Sequence, residues 1–179
     1  MKSFLLSLLP ALTWLAFAPG ITSPAWAQAP FSFEKKYAEA RAELAERHFD
    51  KALKIGRELN ARTPDELDYW AVIVDAARGL GKSDEAEKAA QWMLNLRPED
   101  VRGLERAGLV REDLGDLTGA EDMIVEAYKR APPTDTALRV RLLNQMAGVF
   151  EKQKNLPQAE KLRKEAKKVQ AAAEEEKKR

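Results

Sequence analysis

The chain has 179 residues, with 30 basic and 29 acidic side chains and a formal net charge of +1, so its charge indicates no nucleic-acid partner. It has no cysteine and one histidine, His48, which excludes disulfides, thiolate or multi-histidine metal sites and cysteine–histidine nucleophiles. Charged residues make up 33% of the chain and aromatic residues 7%, a balance that favours an all-α fold.

The first 27 residues have the pattern of a secretory signal peptide. Lys2 supplies the positive start, residues 4–17 the apolar segment, and Ala25-Trp26-Ala27 a small-x-small cleavage site. We expect residues 28–32 to be a linker that begins the mature chain, and we expect a periplasmic protein, with secretion as the second choice. An uncleaved membrane anchor is the alternative, but polar residues and a proline interrupt the apolar segment, which makes it a poor membrane span. Because cleavage would remove this segment, we expect no stable membrane insertion of the mature chain.

A period of 34 residues runs through the rest of the chain. Three prolines are spaced by this step: Pro64, Pro98 and Pro132. Four alanines follow it as well, except that the last comes 39 residues after the one before: Ala52, Ala86, Ala120 and Ala159. Such a repeat predicts helical hairpins in which small residues lie where two helices approach closely, with one insertion of about five residues in the last unit.

Helix starts are predicted from capping signals. Residues 63–66 read Thr-Pro-Asp-Glu, which predicts a helix with Pro64 at its first position, and residues 118–121 form a second capping box. Asp50 and Asp84 are the predicted caps of two return helices. These signals divide the chain at the same places as the 34-residue period.

With these residues the chain resembles the tetratricopeptide-repeat family, whose order of bulky, bulky, small and bulky residues followed by Ala, bulky, Ala and Pro is fullest in the two middle units. The second unit shows it in Trp70, Ile73 and Ala77, which Leu80-Gly81 follows. The resemblance implies an all-α, right-handed solenoid of about four hairpins. The implied units are 33–64, which is atypical; 65–98; 99–132; 133–171, with the insertion and a C-terminal capping helix; and a charged tail, 172–179. A generic helix bundle is the alternative.

In this family the first helices of successive hairpins line a concave groove that binds peptides or partner helices. The groove residues implied here are Tyr37, Arg41, Asp68, Asp75, Arg78, Arg102, Glu105, Arg106, Leu109, Arg141 and Asn144. Some members grip a terminal carboxylate with a clamp of Lys, Asn and Arg side chains, but the clamp is incomplete here because Val72 replaces an Asn. We expect charge reversal of Arg102 and Arg106 to weaken partner capture without melting the fold, although a solvated helix face is an equal interpretation of each charge.

Two further features of the sequence bear on partner binding. The basic C-terminal helix carries a narrow apolar stripe, Ala159, Leu162, Ala166 and Val169, which we expect to pack on the fourth hairpin, with contact to anionic lipid or a partner as the alternative. Trp92 is expected to pack against the next hairpin, and an exposed Trp92 would instead mark an interaction patch.

The sequence therefore predicts a periplasmic scaffold or adaptor that binds a protein or peptide partner in an envelope assembly or export process. No glycine-rich phosphate loop is present and no carboxylate pair is marked by its spacing, so we predict no enzymatic activity and no cofactor. The alternative is a structural subunit that self-associates into a homo-oligomer. Charged residues at both ends of the array, including Lys36 and Glu39 at the start, argue against that alternative.

Overall fold

The computed structural model describes residues 31–177, and the predicted signal peptide and residues 28–30 of the linker lie outside these residues. All regular structure in the described part of the chain is helical. The helices are α1 (Phe33–Ala45), α2 (Phe49–Arg62), α3 (Leu67–Gly79), α4 (Ser83–Leu96), α5 (Val101–Asp113), α6 (Leu117–Arg130), α7 (Thr136–Lys152) and α8 (Leu156–Lys177). None of these helices has the length and apolar character needed to span a membrane.

The helices form four hairpins, each made of a first helix (α1, α3, α5 or α7) and a return helix (α2, α4, α6 or α8). Three residues join the two helices of every hairpin. Each of the first three return helices also packs on the first helix of the next hairpin, and α3 packs on both α1 and α5. Contact between nearest neighbours only is the packing of a helical solenoid, so the predicted all-α array of four hairpins is confirmed.

Small residues set the separation of the paired helices. The four periodic alanines, Ala52, Ala86, Ala120 and Ala159, are all buried. Gly108 of α5 faces the return helix α6, where an added Cβ would lie 2.6 Å from Ile124 Cγ1. Because larger side chains at these positions would push the helices apart, the period in the sequence reports close helix contacts.

The turn inside every hairpin contains one residue in the left-handed backbone region, at the same point of the repeat. In the two middle hairpins this residue is a glycine, Gly81 with φ of 68° and Gly115 with φ of 83°. In the outer hairpins it is Arg47 with φ of 61° and Lys154 with φ of 62°. The Leu-Gly signal therefore marks the middle turns, while the outer turns place non-glycine residues in a conformation that costs them energy.

The predicted helix starts were wrong by several residues. α2 ends at Arg62 with Thr63 as its C-cap, Pro64 lies in the following turn, and α3 begins at Leu67 with Glu66 as its N-cap. A residue before proline is disfavoured in the α region, so each periodic proline ends the preceding helix and does not begin the next one.

The return helices also begin earlier than their predicted caps. Asp116, and not Thr118, caps α6 by accepting a hydrogen bond from the Gly119 N–H at 2.9 Å. The N-cap positions of α2 and α4 hold His48 and Lys82, without a side-chain capping bond. Asp50 and Asp84 lie inside the first turns of these helices, where their charge suits the helix dipole.

The insertion lengthens the last hairpin. α7 has 17 residues where α3 and α5 have 13, and the turn before α7 is one residue longer than the turns before them. α8 is a single helix of 22 residues, so the return helix and the predicted capping helix are continuous, and residues 172–177 belong to it. Its stripe residues Ala159, Leu162 and Ala166 are buried in the core that α7 shares.

Candidate functional site

Ion pairs join successive first helices on the side where α1, α3, α5 and α7 lie next to one another, which we call the first-helix face. Seven of the predicted groove residues take part. The pairs are Asp68 with Arg102, Asp75 with Arg106, Arg78 with Asp113, Glu105 with Arg141, and Glu112 with Lys152. The first three connect α3 to α5 and the last two connect α5 to α7, so the pairs form an ion-pair ladder along the solenoid.

Glu105 is the most buried charged residue of the ladder. Its side chain is 6% exposed, and its carboxylate accepts two hydrogen bonds from Arg141, at 2.7 and 3.0 Å, and one from Gln145 Nε2 at 2.8 Å. The hydrogen bond from Arg141 to this carboxylate raises the pKa of Arg141. A buried carboxylate held by three donors is a fixed structural group, which ties the third hairpin to the fourth.

Arg102 and Arg106 lie in the centre of the ladder. Arg102 pairs with Asp68 and also with Asp100, the N-cap of α5. Burial acts to lower the pKa of Arg102, but the hydrogen bond and charge of Asp100, together with the charges of Asp68 and Tyr37, outweigh it and raise that pKa. Arg106 Nη2 donates to Asp75 Oδ2 at 2.6 Å, while its Nε is buried without a hydrogen-bond partner among the described residues.

These contacts bear on the expected effect of charge reversal at Arg102 and Arg106. Charge reversal of Arg102 would place a carboxylate beside Asp68 and Asp100, and reversal of Arg106 would place one beside Asp75. Like charges at such distances repel, so we now expect the double reversal to destabilise the array, which makes it a poor probe of binding.

Aromatic rings cover the N-terminal end of the first-helix face. Tyr37 packs on Tyr69 with ring centroids 5.8 Å apart, Phe33 stacks on the same ring at 6.4 Å, and Arg41 lies over Tyr37 at 5.9 Å. Burial, followed by the nearby charge of Asp68, raises the pKa of Tyr37. Tyr37 and Arg41 were predicted for this face, whereas Phe33 and Tyr69 were not, because nothing in the repeat pattern distinguishes them.

Four of the predicted groove residues take no part in the ladder, and one of them, Tyr37, belongs to the aromatic cluster at the N-terminal end. Arg41 and Asn144 are exposed at the two ends of the first-helix face, and Leu109 is half-buried between them. The first-helix face thus combines the ion-pair ladder, whose side chains hold one another in place, with a few side chains that remain free to contact a partner. This arrangement suits recognition of a polar or amphipathic chain.

The single histidine lies in the turn of the first hairpin with two carboxylates. His48 Nδ1 is 2.8 Å from Glu43 Oε2 and 3.3 Å from Glu46 Oε2. Lys51 Nζ is 3.6 Å from the same Glu43 oxygen. The Lys51 ammonium thus shares the Glu43 carboxylate with His48, so the group is best described as an exposed ion-pair cluster.

Trp92 does not pack against the next hairpin as predicted. It is 52% exposed and stacks on Trp70 of its own hairpin, with ring centroids 5.9 Å apart and an interplanar angle of 13°. It lies on the return helix α4, outside the first-helix face. The sequence showed the ring but not its exposure, which depends on the size of neighbouring side chains.

Comparison with known proteins identifies the architecture. The chain matches no protein-family model and no curated protein sequence. Among solved structures it is similar to PcrH in complex with the chaperone-binding region of PopD, with 22% identity, a TM-score of 0.60, and coverage of 70% of this chain and 98% of PcrH.

Two other solved structures show the same likeness. The type III secretion translocator chaperone SycD of Yersinia enterocolitica is 16% identical with a TM-score of 0.61, covering 68% of this chain and 93% of SycD. MamA of Desulfovibrio magneticus RS-1 is 11% identical with a TM-score of 0.64, covering 79% of this chain and 77% of MamA. Identities this low establish the fold alone. In fold, the chain is a helical repeat protein of the tetratricopeptide-repeat (TPR) type.

Proposed function

We propose that this protein is a non-enzymatic adaptor that binds a protein or peptide partner on its first-helix face. The observation that carries the proposal is the structural likeness to PcrH, which extends over nearly all of the PcrH chain. The PcrH structure contains the chaperone-binding region of its partner PopD. The same architecture in this chain supports the same kind of activity. It does not select the partner, since groove side chains differ between proteins that share the fold.

The ion-pair ladder supports binding by holding the face in one shape. Arg78, Arg106 and Glu105 are directed by partners on neighbouring first helices, so the surface loses little conformational freedom when a partner binds. Recognition then falls to the exposed groups. Arg41 and the Tyr37 ring offer a cation and an aromatic surface at one end, and Asn144 offers an amide at the other.

We further propose that the adaptor acts in the bacterial periplasm, in envelope assembly or export. The support is the pattern of residues 1–27, with its basic start, apolar segment and small-x-small site. Expression in a bacterium followed by fractionation and N-terminal sequencing tests this. Periplasmic protein that begins at Gln28 is the expected result, and retention in the cytoplasm with Met1 intact would contradict it.

Site-specific photo-crosslinking tests the binding face. A photoreactive residue replaces Arg41 or Asn144 on the first-helix face, or Lys54 on α2 as the control, and each protein is irradiated in native envelope extract. We expect one partner to crosslink from both face positions and not from Lys54. Its identity is read by mass spectrometry.

A second variant checks that the exposed cation contributes. Arg41→Glu, combined with the photoreactive residue at position 144, should reduce the crosslink, because the substitution alters the far end of the same surface. Arg41 is exposed and takes part in no ion pair among the described residues, so we expect the variant to keep its fold, which circular dichroism checks. Crosslinks of equal strength from the face positions and from Lys54 would rule out a binding site on the first-helix face.

A further inference from the structure

A shallow depression lies on the opposite side of the first two hairpins, between the return helices α2 and α4. Its volume is about 290 Å³. Trp70, Trp92, Ile73 and Ala89 form an apolar floor, and the polar rim includes Arg57, Glu85 and Lys88. The repeat pattern accounts for Trp70 and Ile73, but it does not account for Trp92.

Trp92 departs from the repeat. The positions that correspond to it at the 34- and 39-residue steps are Glu58, Glu126 and Glu165. The first, third and fourth hairpins therefore form with a glutamate at this place, and the second hairpin carries a half-exposed indole instead. A large apolar ring exposed to water without a packing requirement indicates a ligand surface.

The two indoles form a fixed platform. Trp70 donates from Nε1 to the carbonyl oxygen of Pro64 at 2.7 Å, which fixes the orientation of the inner ring. Trp92 lies nearly parallel on it and leaves much of its surface open. A flat, immobilised aromatic surface of this kind suits a ring that presents C–H groups, at low entropic cost.

The rim supplies both donors and acceptors. Arg57 Nε donates to Glu85 Oε1 at 2.8 Å, which holds a guanidinium and a carboxylate side by side at the edge of the platform. Lys88 lies one helical turn before Trp92 and has no ion pair in the described part of the chain. Hydroxyl groups can use the Arg57–Glu85 pair, and the unpaired ammonium of Lys88 favours an anion.

We propose that this depression binds an acidic carbohydrate, with one pyranose ring stacked on Trp92 and its carboxylate facing Lys88. The C–H face of a sugar ring matches the indole, and its hydroxyl groups match the Arg57–Glu85 pair. An aromatic side chain of a partner protein would fill the floor but leave the rim groups unused. The site is independent of the first-helix face, so its test does not depend on the proposed adaptor function.

Intrinsic fluorescence reports on this site directly. The chain has four tryptophans, Trp14, Trp26, Trp70 and Trp92, so replacing the first two by phenylalanine in the full chain leaves tryptophan emission, excited at the red edge where tyrosine does not absorb, from the depression alone. This protein is titrated with trigalacturonic acid and with cellotriose, a neutral sugar of the same length. We expect saturable quenching by the acidic sugar at a concentration at least about tenfold lower than for the neutral one.

Two variants assign the binding to the named residues, with calorimetry as the readout. Trp92→Gln should weaken trigalacturonic acid binding by about tenfold or more, because the stacking surface is lost. Lys88→Gln should abolish the preference for the acidic sugar while keeping the weaker neutral binding. Lys54→Gln is the matched control, since Lys54 is exposed at the equivalent position of the first hairpin and does not line the depression.

Circular dichroism confirms that each variant keeps its helical content. Trigalacturonic acid binding that survives Trp92→Gln, or that Lys54→Gln weakens as much as Lys88→Gln, overturns the proposal. So does stronger quenching by a blocked dipeptide of phenylalanine and glutamate than by either sugar, which would assign the depression to a protein partner.

Discussion

At the scale of single residues, the left-handed position in each hairpin turn shows how the energy cost of a positive φ differs between glycine and residues that carry a Cβ. Gly81 and Gly115 adopt a positive φ at little cost, whereas Arg47 and Lys154 adopt the same conformation with a Cβ present. Arg47 gains a contact in return, because its guanidinium lies 5.3 Å from the centre of the Phe49 ring. Lys154 is exposed and gains no comparable contact among the described residues.

We expect Lys154→Gly to raise the free energy of unfolding and Gly81→Ala to lower it, each by about 1 kcal/mol. A Cβ at position 81 would meet no atom within 4 Å, so the loss there comes from backbone strain alone. The larger entropy of glycine in the unfolded chain offsets part of the gain at position 154. Urea unfolding followed by far-ultraviolet circular dichroism measures both changes, and a stabilising Gly81→Ala would contradict the account.

The residues of the first-helix face could be predicted from the sequence, but most of their partners could not. The 34-residue period and the helical repeat place the charged positions on one side. Asp68 and Arg102 form a pair that is 34 residues apart, as the period alone suggests. Arg78 instead reaches Asp113, at 35 residues, and Glu105 reaches Arg141, at 36. These choices depend on helix rotation and side-chain length, which a spacing rule does not contain.

At the scale of the helices, the sequence predicted how many there are and how they pair better than where they begin. Buried alanines recur because every hairpin needs the same close approach, so their spacing reports the architecture. Pro64 was assigned to the start of α3 because proline is common there, but its effect on Thr63 ends α2 instead. The position of the five-residue insertion, mostly within α7, likewise required the structure.

The ladder between α5 and α7 gives a test at this scale. Arg141→Ala should lower the free energy of unfolding by about 2 kcal/mol, because it leaves the Glu105 carboxylate buried with only Gln145 as a donor. Glu105→Gln should cost about half as much, since Arg141 is half exposed and water can solvate it when the charge of its partner is removed.

Arg163→Ala is the matched control for Arg141→Ala. Arg163 is as exposed as Arg141, but its partner Glu151 on α7 is 37% exposed and not buried. The expected loss is below about 0.5 kcal/mol. Denaturant unfolding of the three variants measures these differences, and equal losses at Arg141 and Arg163 would show that the burial of Glu105 contributes nothing.

At the scale of the whole molecule, both ends of the solenoid present charged surfaces. On α1, Lys36 pairs with Glu39 at 3.2 Å on the outside of the first hairpin. On α8, Leu162 and Ala166 face the core while Lys161, Lys164 and Lys168 are exposed. Polar end faces are what a solenoid needs in order to stop growing, because a new hairpin would have to bury charged side chains that water now solvates.

We therefore expect the protein to be a monomer in sedimentation equilibrium, with a mass that does not change across a broad range of protein concentration. The test bears on the alternative of a self-associating envelope subunit. Residues 151–179 carry 10 basic and 6 acidic side chains in a chain whose formal charge is only +1, so the basic end of one copy could attract the acidic remainder of another. Attraction of that kind is screened by salt. A mass that grows with concentration at low salt and falls to that of one chain at high salt would contradict the monomer and support charge-driven assembly. Growth that salt leaves unchanged would instead require an apolar contact between copies. The exposed Phe33 and Leu156 would then be the first residues to replace.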